Sequence, residues 1–268
     1  MSKSRVLRDI VFARVGDKDL LLDLYLPEGA EGPLPLIVWI HGGGWFTGSK
    51  EDAAAARMTQ RGYAVASISY RLSHEAIFPA QIHDCKAAVR WLRANAQRYN
   101  LDPDRFGAWG PSAGGHLVAL LGTSEAVAEL EGDEGNLGHS SRVQAVCDYF
   151  GPTDLLAMKN FPCRIDRDDP DCPEARLIGG GLAENPDQVR LANPITYVNP
   201  GAPPFLIVHG DQDDVVPINQ SELLYQALKR AGVEVAFHTI EGMGHGFGDS
   251  DPAELVDAFF DRHLKGQG

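Results

Sequence analysis

Apolar segments with the length of strands alternate with segments of helical periodicity along most of this chain. Residues 36–40 form a continuous apolar run, which is typical of a strand buried on both faces of a sheet. Residues 80–99 instead carry their apolar side chains at helical spacing. This alternation predicts an α/β protein with a mostly parallel sheet covered by helices on both faces. In sheets of that class, a functional site lies beyond the carboxyl ends of the strands.

The predicted sheet has eight strands, of which the first two differ from the rest. Residues 6–15 and 20–26 are separated by a short turn that contains Gly16, and they predict an antiparallel pair at a sheet edge. The further strands are predicted at residues 36–40, 63–70, 105–110, 143–150, 205–209 and 235–240. A helix that begins after Ser49 as its cap is predicted at residues 51–61, and further helices are predicted at residues 80–99, 113–121 and 219–231. A last helix is predicted with Asp251 as its N-cap and Pro252 in its first turn.

The whole chain, residues 1–268, is predicted to form a single α/β domain. Its hydrophobic content of 44% is close to that of ordinary globular proteins and supports a core without disulfides. Residues 154–198 break the alternation, because they are rich in Pro, Gly and Asp and contain no clear strand. Since they lie between two core strands, we expect a small cap inserted over the sheet rather than a linker.

The formal net charge of −13 argues against binding to nucleic acids or anionic membranes, because phosphate contacts need clustered Lys and Arg. It also favours neutral substrates over anionic ones. No apolar run approaches the roughly 20 residues needed to cross a bilayer. The N-terminus has no apolar signal core, so we expect the protein either to stay in the cytoplasm or to have lost a signal sequence.

The segment Gly-Pro-Ser-Ala-Gly at residues 110–114 fits the G-x-S-x-G pattern of a nucleophile elbow. A predicted strand enters this segment and a predicted helix leaves it, so Ser112 is expected on a sharp turn with its hydroxyl exposed. The helix N-terminus would point at the serine, where negative charge would develop. Ser112 is therefore the candidate nucleophile, and the alternative is a glycine-rich turn without chemistry.

A serine hydroxyl needs a neighbouring base, and histidine is the first choice because its pKa lies near neutrality. Downstream of an elbow serine, the expected order is an acid and then the histidine. His245 lies in a glycine-rich loop just after the last predicted strand, where the imidazole can bend back over the sheet edge. The other histidines are less suited as a base: His238 lies within a strand, His263 in the last helix and His139 ahead of any late acid. His116 lies on the helix after the serine and is expected to be a packed helix residue.

Three aspartates follow the predicted strand at residues 205–209, and one of them would orient the imidazole. Asp211 comes immediately after the strand, a position where aspartate more often caps a turn. Asp213 lies two residues further out, where its side chain can reach a loop histidine. Asp214 directly precedes the Val-Val-Pro segment. Asp213 is favoured, and the other two remain as alternatives.

Three consecutive glycines follow the strand at residues 36–40, in the segment His-Gly-Gly-Gly-Trp at residues 41–45. Without Cβ atoms, the backbone N–H groups can converge on one point. Such donors are what an oxyanion intermediate needs, and we expect them at Gly43, Gly44 and Ala113. A phosphate cradle is disfavoured because no Lys-Ser/Thr follows at P-loop spacing. His41 is expected to support the loop by hydrogen bonding rather than to act as a base.

Together these segments resemble the hormone-sensitive-lipase-like and feruloyl/acetyl-xylan-esterase-like α/β-hydrolases. The matching elements are H-G-G-G-W at residues 41–45, G-P-S-A-G-G at 110–115, H-G-D-Q-D-D-V-V-P at 209–217 and G-H-G-F at 244–247. The resemblance implies an α/β-hydrolase fold and a Ser112–His245–Asp213 triad that needs no metal and no organic cofactor. It also supports Asp213 among the three aspartates.

Two departures from the hormone-sensitive-lipase-like pattern matter. Members usually carry a substantial N-terminal cap, but only 40 residues precede His41 here and strands use most of them. They also usually have a D-P-x-x-D acid motif, whereas the H-G-x-x-D-x-x-V-P form at residues 209–217 looks more like carbohydrate esterases. The cap must therefore come mainly from residues 154–198.

Several aromatic side chains are candidates for the walls of a substrate pocket. We expect Trp45, Phe46 and Phe78 to bind substrate, with Phe150 and Phe161 as further candidates and core packing as the alternative. The acidic loop with Asp166, Asp168, Asp169 and Asp171 is expected to be solvated, with calcium binding as the alternative. No cysteine spacing resembles a zinc site, and a Cys163–Cys172 disulfide is left open.

The resemblance predicts a serine carboxylester hydrolase that acts on short-acyl or aryl esters of the acetyl or feruloyl type. The substrate would be a small molecule or an ester linked to a polysaccharide. One alternative is a small-amide hydrolase such as an aryl formamidase, which uses the same residues. A non-catalytic ligand receptor on a hydrolase scaffold is a second alternative, but such receptors usually lose a triad member.

Overall fold

The computed structural model describes residues 4–125 and 127–266. Eight strands form one sheet in the order β1-β2-β4-β3-β5-β6-β7-β8. The strands are β1 (Ser4–Val15), β2 (Lys18–Pro27), β3 (Leu34–Ile40), β4 (Ala64–Ile68), β5 (Leu101–Pro111), β6 (Ala145–Tyr149), β7 (Phe205–Gly210) and β8 (Val235–Ile240). The predicted number and places of the strands are confirmed.

The first strands are antiparallel and the remaining ones are parallel. β1 pairs with β2, and β2 pairs with β4, in antiparallel registers. β3 lies between β4 and β5, and parallel pairing then continues through β6 and β7 to β8. The carboxyl ends of the parallel strands therefore meet at one edge of the sheet, which brings together the loops that follow them.

Each central strand is buried on both faces, as its apolar sequence predicts. All seven residues of β3 are buried. Because successive side chains point to opposite faces, Leu36, Val38 and Ile40 join one hydrophobic cluster, while Ile37 and Trp39 join the other. The sheet thus separates two cores.

Helices cover both of these faces. The helices are α1 (Ala80–Ala94), α2 (Ala96–Tyr99), α3 (Ala113–Thr123), α4 (Pro173–Ile178), α5 (Pro186–Ala192), α6 (Asn219–Arg230) and α7 (Ala253–Phe260). Apolar side chains of α1, α3 and α6 pack into the core that contains Leu36. Val256 and Phe260 of α7 pack into the core that contains Ile37.

Three predicted helices have different bounds, and local side-chain contacts explain two of them. The segment predicted as a helix over residues 51–61 is a 3₁₀-helix, Ala54–Arg61, because the Ser49 hydroxyl contacts the Glu51 carboxylate and caps no helix. Asp251 does not cap α7, since its carboxylate accepts a hydrogen bond from the Tyr149 hydroxyl at 2.8 Å. The helix predicted over residues 80–99 is interrupted at Asn95, which separates α1 from α2.

The expected cap consists of short helices inserted between β6 and β7. It contains α4 and α5 and two 3₁₀-helices, Ala157–Asn160 and Pro194–Tyr197, and no strand is found over residues 154–198. Among the described residues, no helix combines the length and apolar character that crossing a membrane requires. Cys163 and Cys172, like Cys85 and Cys147, are free thiols.

Candidate active site

Ser112 lies at the junction between the end of β5 and the start of α3. Its backbone has φ 55° and ψ −121°, a strained conformation for a residue with a side chain. The strand and the helix approach each other closely here, because a Cβ atom on Gly110 would overlap the carbonyl group of Gly114, and both glycines also lie against the carbonyl oxygen of Ile40 in β3. The small residues on either side of the serine therefore allow the sharp turn that presents its hydroxyl.

The structure brings Ser112, His245 and Asp213 together, although they are far apart in the sequence. The Nε2 atom of His245 lies 2.9 Å from Ser112 Oγ, and its Nδ1 atom lies 2.7 Å from Asp213 Oδ2. A carboxylate only accepts, so Nδ1 carries the proton and Nε2 is free to accept the proton of the serine hydroxyl. This arrangement can activate the serine oxygen as a nucleophile.

Asp213 is fixed by four donors. Its Oδ1 atom accepts hydrogen bonds from the backbone N–H groups of Val215 at 2.8 Å and Val216 at 2.9 Å. Its Oδ2 atom faces His245 and also lies 3.3 Å from His209 Nε2. Burial alone would raise the pKa of Asp213, but hydrogen bonds from His209 and His245 outweigh it and hold the pKa well below its ordinary value.

The other two aspartates of this loop do not reach the histidine. Asp211 accepts a hydrogen bond from the backbone N–H of Gly242 at 2.7 Å, so it stabilises a turn as the sequence predicts. Asp214 is exposed, and its nearest cation is Arg164, at 3.7 Å. Asp213 is thus the one of the three whose carboxylate contacts His245.

His209 is a site residue that sequence reasoning missed. It is fully buried at the end of β7, where its Nε2 atom lies 2.8 Å from the carbonyl oxygen of Val216 and its Nδ1 atom lies 2.7 Å from the hydroxyl of Ser221. Because a carbonyl only accepts, Nε2 carries the proton and is shared between Val216 and Asp213. The four-residue spacing between His209 and Asp213 is the sequence signal that could have indicated this contact.

The glycine-rich loop after β3 leaves backbone donors beside Ser112. Gly43 and Gly44 have φ values of 105° and 59°, which favour glycine. The Gly43 carbonyl accepts hydrogen bonds from the N–H groups of Phe46 and Thr47, which turns the loop back on itself. Within residues 4–125 and 127–266, the N–H groups of Gly43, Gly44 and Ala113 have no hydrogen-bond acceptor. They are the donors that the sequence predicts for an oxyanion hole.

His41 supports this loop rather than contacting Ser112. Its ring stacks on Tyr70 with the centroids 4.3 Å apart, and its Nδ1 atom lies 2.7 Å from the carbonyl oxygen of Gly42. The Tyr70 hydroxyl donates to the carbonyl oxygen of His41 at 3.1 Å. Burial lowers the pKa of His41, so the ring is held as a neutral, packed side chain.

His116 connects the nucleophile helix, the glycine loop and the cap. Its Nδ1 atom accepts a hydrogen bond from Trp45 Nε1 at 3.2 Å, and its Nε2 atom lies 2.7 Å from the carbonyl oxygen of Ala192 in the cap. Burial lowers the pKa of His116 to about 4, so the imidazole is neutral near pH 7. This agrees with the expectation of a packed helix residue.

Asp148 is a second buried group that sequence reasoning missed. It lies on β6 against the start of α3, where a Cβ atom on Gly115 would overlap its Oδ1 atom. Oδ1 accepts a hydrogen bond from Gly151 N–H at 2.9 Å, while Oδ2 has no partner among the described residues. Burial raises the pKa of Asp148 to about 7, which favours the protonated form.

A cavity of about 510 Å³ opens over Ser112 and His245. Its walls come from the glycine loop, the Asp213 loop and the cap, and they are largely apolar: Trp45, Phe46, Phe150, Pro152, Ile165 and Val215. Polar side chains also line the cavity: Thr47 and Asp52, and, from the cap, Arg167 and Glu174. The size and walls suit a small ligand with one apolar part.

Two of the expected substrate-binding aromatics, Trp45 and Phe46, line the cavity, as does Phe150. The expectation for Phe78 is wrong. Phe78 is only 1% exposed and packs in the core near His116, with ring centroids 6.3 Å apart, because its backbone N–H donates to the Leu177 carbonyl and draws the segment beneath the cap. Phe161 lies on the outside of the cap and is 43% exposed.

The acidic loop of the cap does not gather its carboxylates around one point. Asp166 and Asp169 accept hydrogen bonds from the backbone N–H groups of Asp168 and Asp171, and Asp168 also contacts Lys159. No group of three or more His, Cys, Asp or Glu side chains converges as a metal site in the part of the chain that the structure describes.

Residues 22–228 match the BD-FAE family of sequences. Among curated proteins, the esterase LipQ of Mycobacterium tuberculosis is 33% identical over 240 residues, which cover 87% of this chain and 55% of that protein. The esterase LipC of the same organism is 31% identical over 80% of this chain and 53% of its own. The chain therefore spans about half the length of the curated relatives it matches.

Solved structures extend the likeness to nearly the whole chain. A truncated carbohydrate esterase from gut microbiota is 38% identical, with a TM-score of 0.89 that covers 97% of this chain and 96% of that one. A thermophilic esterase from the Planctomycetes species Thermogutta terrifontis is 27% identical, with a TM-score of 0.79 that covers 100% of this chain and 95% of that one.

Proposed function

Because this chain belongs to the BD-FAE family of α/β-hydrolase carboxylesterases, we propose that it hydrolyses carboxylic esters through an acyl-enzyme on Ser112. The observation that carries the proposal is the hydrogen-bonded chain from Ser112 through His245 to Asp213, at the floor of a cavity that free backbone N–H groups also border. Nucleophile, base, orienting acid and oxyanion donors are the parts that acyl transfer requires.

In the first half of the reaction, Ser112 Oγ attacks the ester carbonyl while its proton passes to His245 Nε2. The negative charge of the tetrahedral intermediate forms beside the N–H groups of Gly43, Gly44 and Ala113. His245 then gives its proton to the leaving alcohol, and the acyl group remains on Ser112. Asp213 stabilises the imidazolium that exists between these two transfers.

In the second half, a water molecule enters where the alcohol has left. His245 removes a proton from the water, which attacks the acyl carbonyl, and the same backbone N–H groups accommodate the second oxyanion. His245 finally returns the proton to Ser112 Oγ as the carboxylic acid leaves. The chain's own side chains and backbone supply every proton acceptor and donor in this sequence.

We propose short-acyl and aryl esters, of the acetyl or feruloyl type, as the substrate class. The apolar walls at Trp45, Phe46 and Phe150 can accept a small acyl or aromatic group, and the cavity of about 510 Å³ is small for a long acyl chain. Among the similar structures, one is described as a carbohydrate esterase, and the Thermogutta terrifontis esterase was determined with propionate and with butyrate bound. The bound propionate and butyrate support a preference for short acyl groups. The carbohydrate esterase supports substrates that are small molecules or are linked to polysaccharide.

A substrate panel tests this proposal. We expect kcat/KM to be high for the p-nitrophenyl esters of acetate and butyrate and for methyl ferulate, and to fall for the octanoate ester. A preference for octanoate would contradict the short-acyl assignment. A formyl-arylamine tests the amidase alternative, which predicts that the amide turns over far faster than the acetate ester. Ser112→Ala is the control that separates enzymatic turnover from background hydrolysis.

A further inference from the structure

A charged pair lies in the cap wall of the otherwise largely apolar cavity. Arg167 and Glu174 both line the cavity that contains Ser112, and each side chain is 3% exposed. Arg167 Nε lies 3.1 Å from Glu174 Oε2, but neither atom makes a well-oriented hydrogen bond to another described residue. Burial raises the pKa of the Glu174 carboxyl and outweighs the attraction of Arg167.

Fold stability alone does not explain this pair. Two buried charges lose their hydration, and a well-packed apolar pair of similar size is often as stable or more so. The neighbouring walls, such as Ile165 and Val215, show that the cavity accepts apolar residues at this place. A buried pair with spare hydrogen-bonding capacity beside a nucleophile therefore indicates recognition of a polar ligand.

We infer that Arg167 and Glu174 form a subsite that binds hydroxyl groups on the alcohol part of the substrate, a sugar or another polyol. This inference rests on the proposed ester hydrolysis at Ser112 and specifies its leaving group. A carboxylate only accepts hydrogen bonds and a guanidinium only donates them, whereas a hydroxyl does both. Two neighbouring hydroxyls can therefore contact both members of the pair.

The charges of Arg167 and Glu174 favour a neutral polyol over an anionic or a cationic ligand. The pair is neutral as a whole. An anionic group that is attracted by Arg167 is therefore repelled by Glu174, and a cation that is attracted by Glu174 is repelled by Arg167. A neutral polyol meets no repulsion from either residue. The formal net charge of −13 on the chain further disfavours anionic ligands.

Backbone contacts hold the guanidinium of Arg167 in a fixed place relative to the triad. Its NH2 group donates to the carbonyl oxygen of Val215 at 2.8 Å, and its NH1 group donates to that of Ile165 at 3.3 Å. The N–H of Val215 in turn donates to Asp213 Oδ1. The subsite is thus tied to the loop that orients His245, so a bound hydroxyl is held at a set position relative to Ser112.

Two acetate esters with different alcohols test the inference. p-Nitrophenyl acetate has no hydroxyl on its leaving group, whereas methyl 2-O-acetyl-β-xyloside carries free neighbouring hydroxyls. We expect Glu174→Gln to lower the ratio of kcat/KM for the xyloside to that for p-nitrophenyl acetate by about 10- to 100-fold, which is the range for a hydrogen bond to a charged group. Glu184→Gln, an exposed position in the same cap, is the matched control and should leave the ratio unchanged.

A second variant covers the case in which Glu174→Gln leaves Arg167 uncompensated and fails to fold. The double variant Arg167→Met/Glu174→Met removes both charges at similar volume, and we expect it to fold and to lower kcat/KM for the xyloside about 10- to 100-fold more than kcat/KM for p-nitrophenyl acetate. In the wild type, methyl β-xyloside should also inhibit p-nitrophenyl acetate hydrolysis competitively, and this inhibition should weaken in the folded variant.

The outcomes separate this inference from the proposed function. If the wild type hydrolyses neither ester, the proposed function fails. If it hydrolyses p-nitrophenyl acetate but not the xyloside, or if the variants lower both rates by the same factor, the polyol subsite is wrong while ester hydrolysis stands. If the variants lower both rates by the same factor, the pair serves only to hold the cap to the Asp213 loop.

Discussion

The two sides of the active-site cavity are built in opposite ways. On the sheet side, Ser112 and the glycine loop directly follow parallel strands and His245 lies in the loop after β8, so the backbone of the sheet sets their positions. On the cap side, α4 and α5 have only six and seven residues. Side-chain contacts attach them to the rest of the protein.

Several hydrogen bonds make these attachments. Arg167 donates to the Val215 carbonyl, and His116 contacts the Ala192 carbonyl. The N–H of Asp154, at the start of the cap, donates to Gln220 Oε1 of α6 at 2.7 Å. From this difference we infer that the reaction chemistry depends on strand topology, and we propose that substrate choice depends on side chains of the cap. Changes on the sheet side should therefore affect every ester, and changes on the cap side should affect some esters more than others.

The largest effect expected short of removing the nucleophile is that of Asp213→Asn. The asparagine would donate to His245 Nδ1 instead of accepting from it, which favours the wrong tautomer and lowers kcat by about 10³- to 10⁴-fold for every ester. Steady-state kinetics on p-nitrophenyl acetate measures this. Asp214→Asn is the matched control, because Asp214 is exposed and points away from His245, and it should change kcat less than about twofold. Equal losses of kcat in Asp213→Asn and Asp214→Asn would contradict a specific role of Asp213 in orienting His245.

Asp148→Asn tests the sheet side through stability. The pKa of Asp148 is raised to about 7 in the folded protein, so its stabilising contribution is complete below about pH 4 and is lost as the pH rises to 7. We expect the variant to be more stable than the wild type at pH 8, by up to about 4 kcal/mol, and the difference to shrink towards pH 4. Urea unfolding at pH 8, 6 and 4 measures it. A difference that does not vary with pH would contradict the buried, protonated carboxyl.

His209 should have a smaller effect through Asp213. In His209→Phe, the Asp213 carboxylate loses one donor and attracts the protonated form of His245 more strongly. We expect kcat to fall about 10-fold and the acidic limb of the pH–rate profile to move to higher pH. His209→Gln can keep an N–H near the same place and should recover most of the activity. If His209→Phe lowers stability but leaves the pH profile unchanged, His209 has a structural role only.

The smallest effects are expected for single aromatics of the cavity and cap. Phe46→Ala opens the cavity wall and should raise KM for aryl esters several-fold more than for ethyl acetate, while kcat for p-nitrophenyl acetate changes little. Phe161→Ala on the outside of the cap should change neither constant by more than about twofold. Initial-rate measurements on both esters would show whether Phe161 has any part in binding.

The same contrast explains what the sequence could predict. Ser112 and His245 were predictable because each follows a strand with a recognisable pattern, and parallel strands end at one edge. The contact of His209 was missed because its four-residue spacing from Asp213 does not by itself reveal which acceptor a ring nitrogen meets. Likewise, the Arg167–Glu174 pair forms across an irregular loop and the start of α4, where no periodicity relates the two residues.

Errors in the local predictions have the same origin. Phe78 was expected in the pocket because it is aromatic, but its contacts with Leu177 and His116 draw it into the core. Ser49 and Asp251 are residue types that commonly cap helices, yet each side chain has another partner in the folded chain. Tertiary contacts of this kind override local preference.

Labelling of the nucleophile tests the central claim most directly. A fluorophosphonate probe reacts with an activated serine, and peptide mass spectrometry locates the adduct. We predict one adduct on Ser112, loss of esterase activity in proportion to labelling, and neither labelling nor activity above background in Ser112→Ala. Labelling at another residue, or ester hydrolysis that persists in Ser112→Ala, would contradict the account.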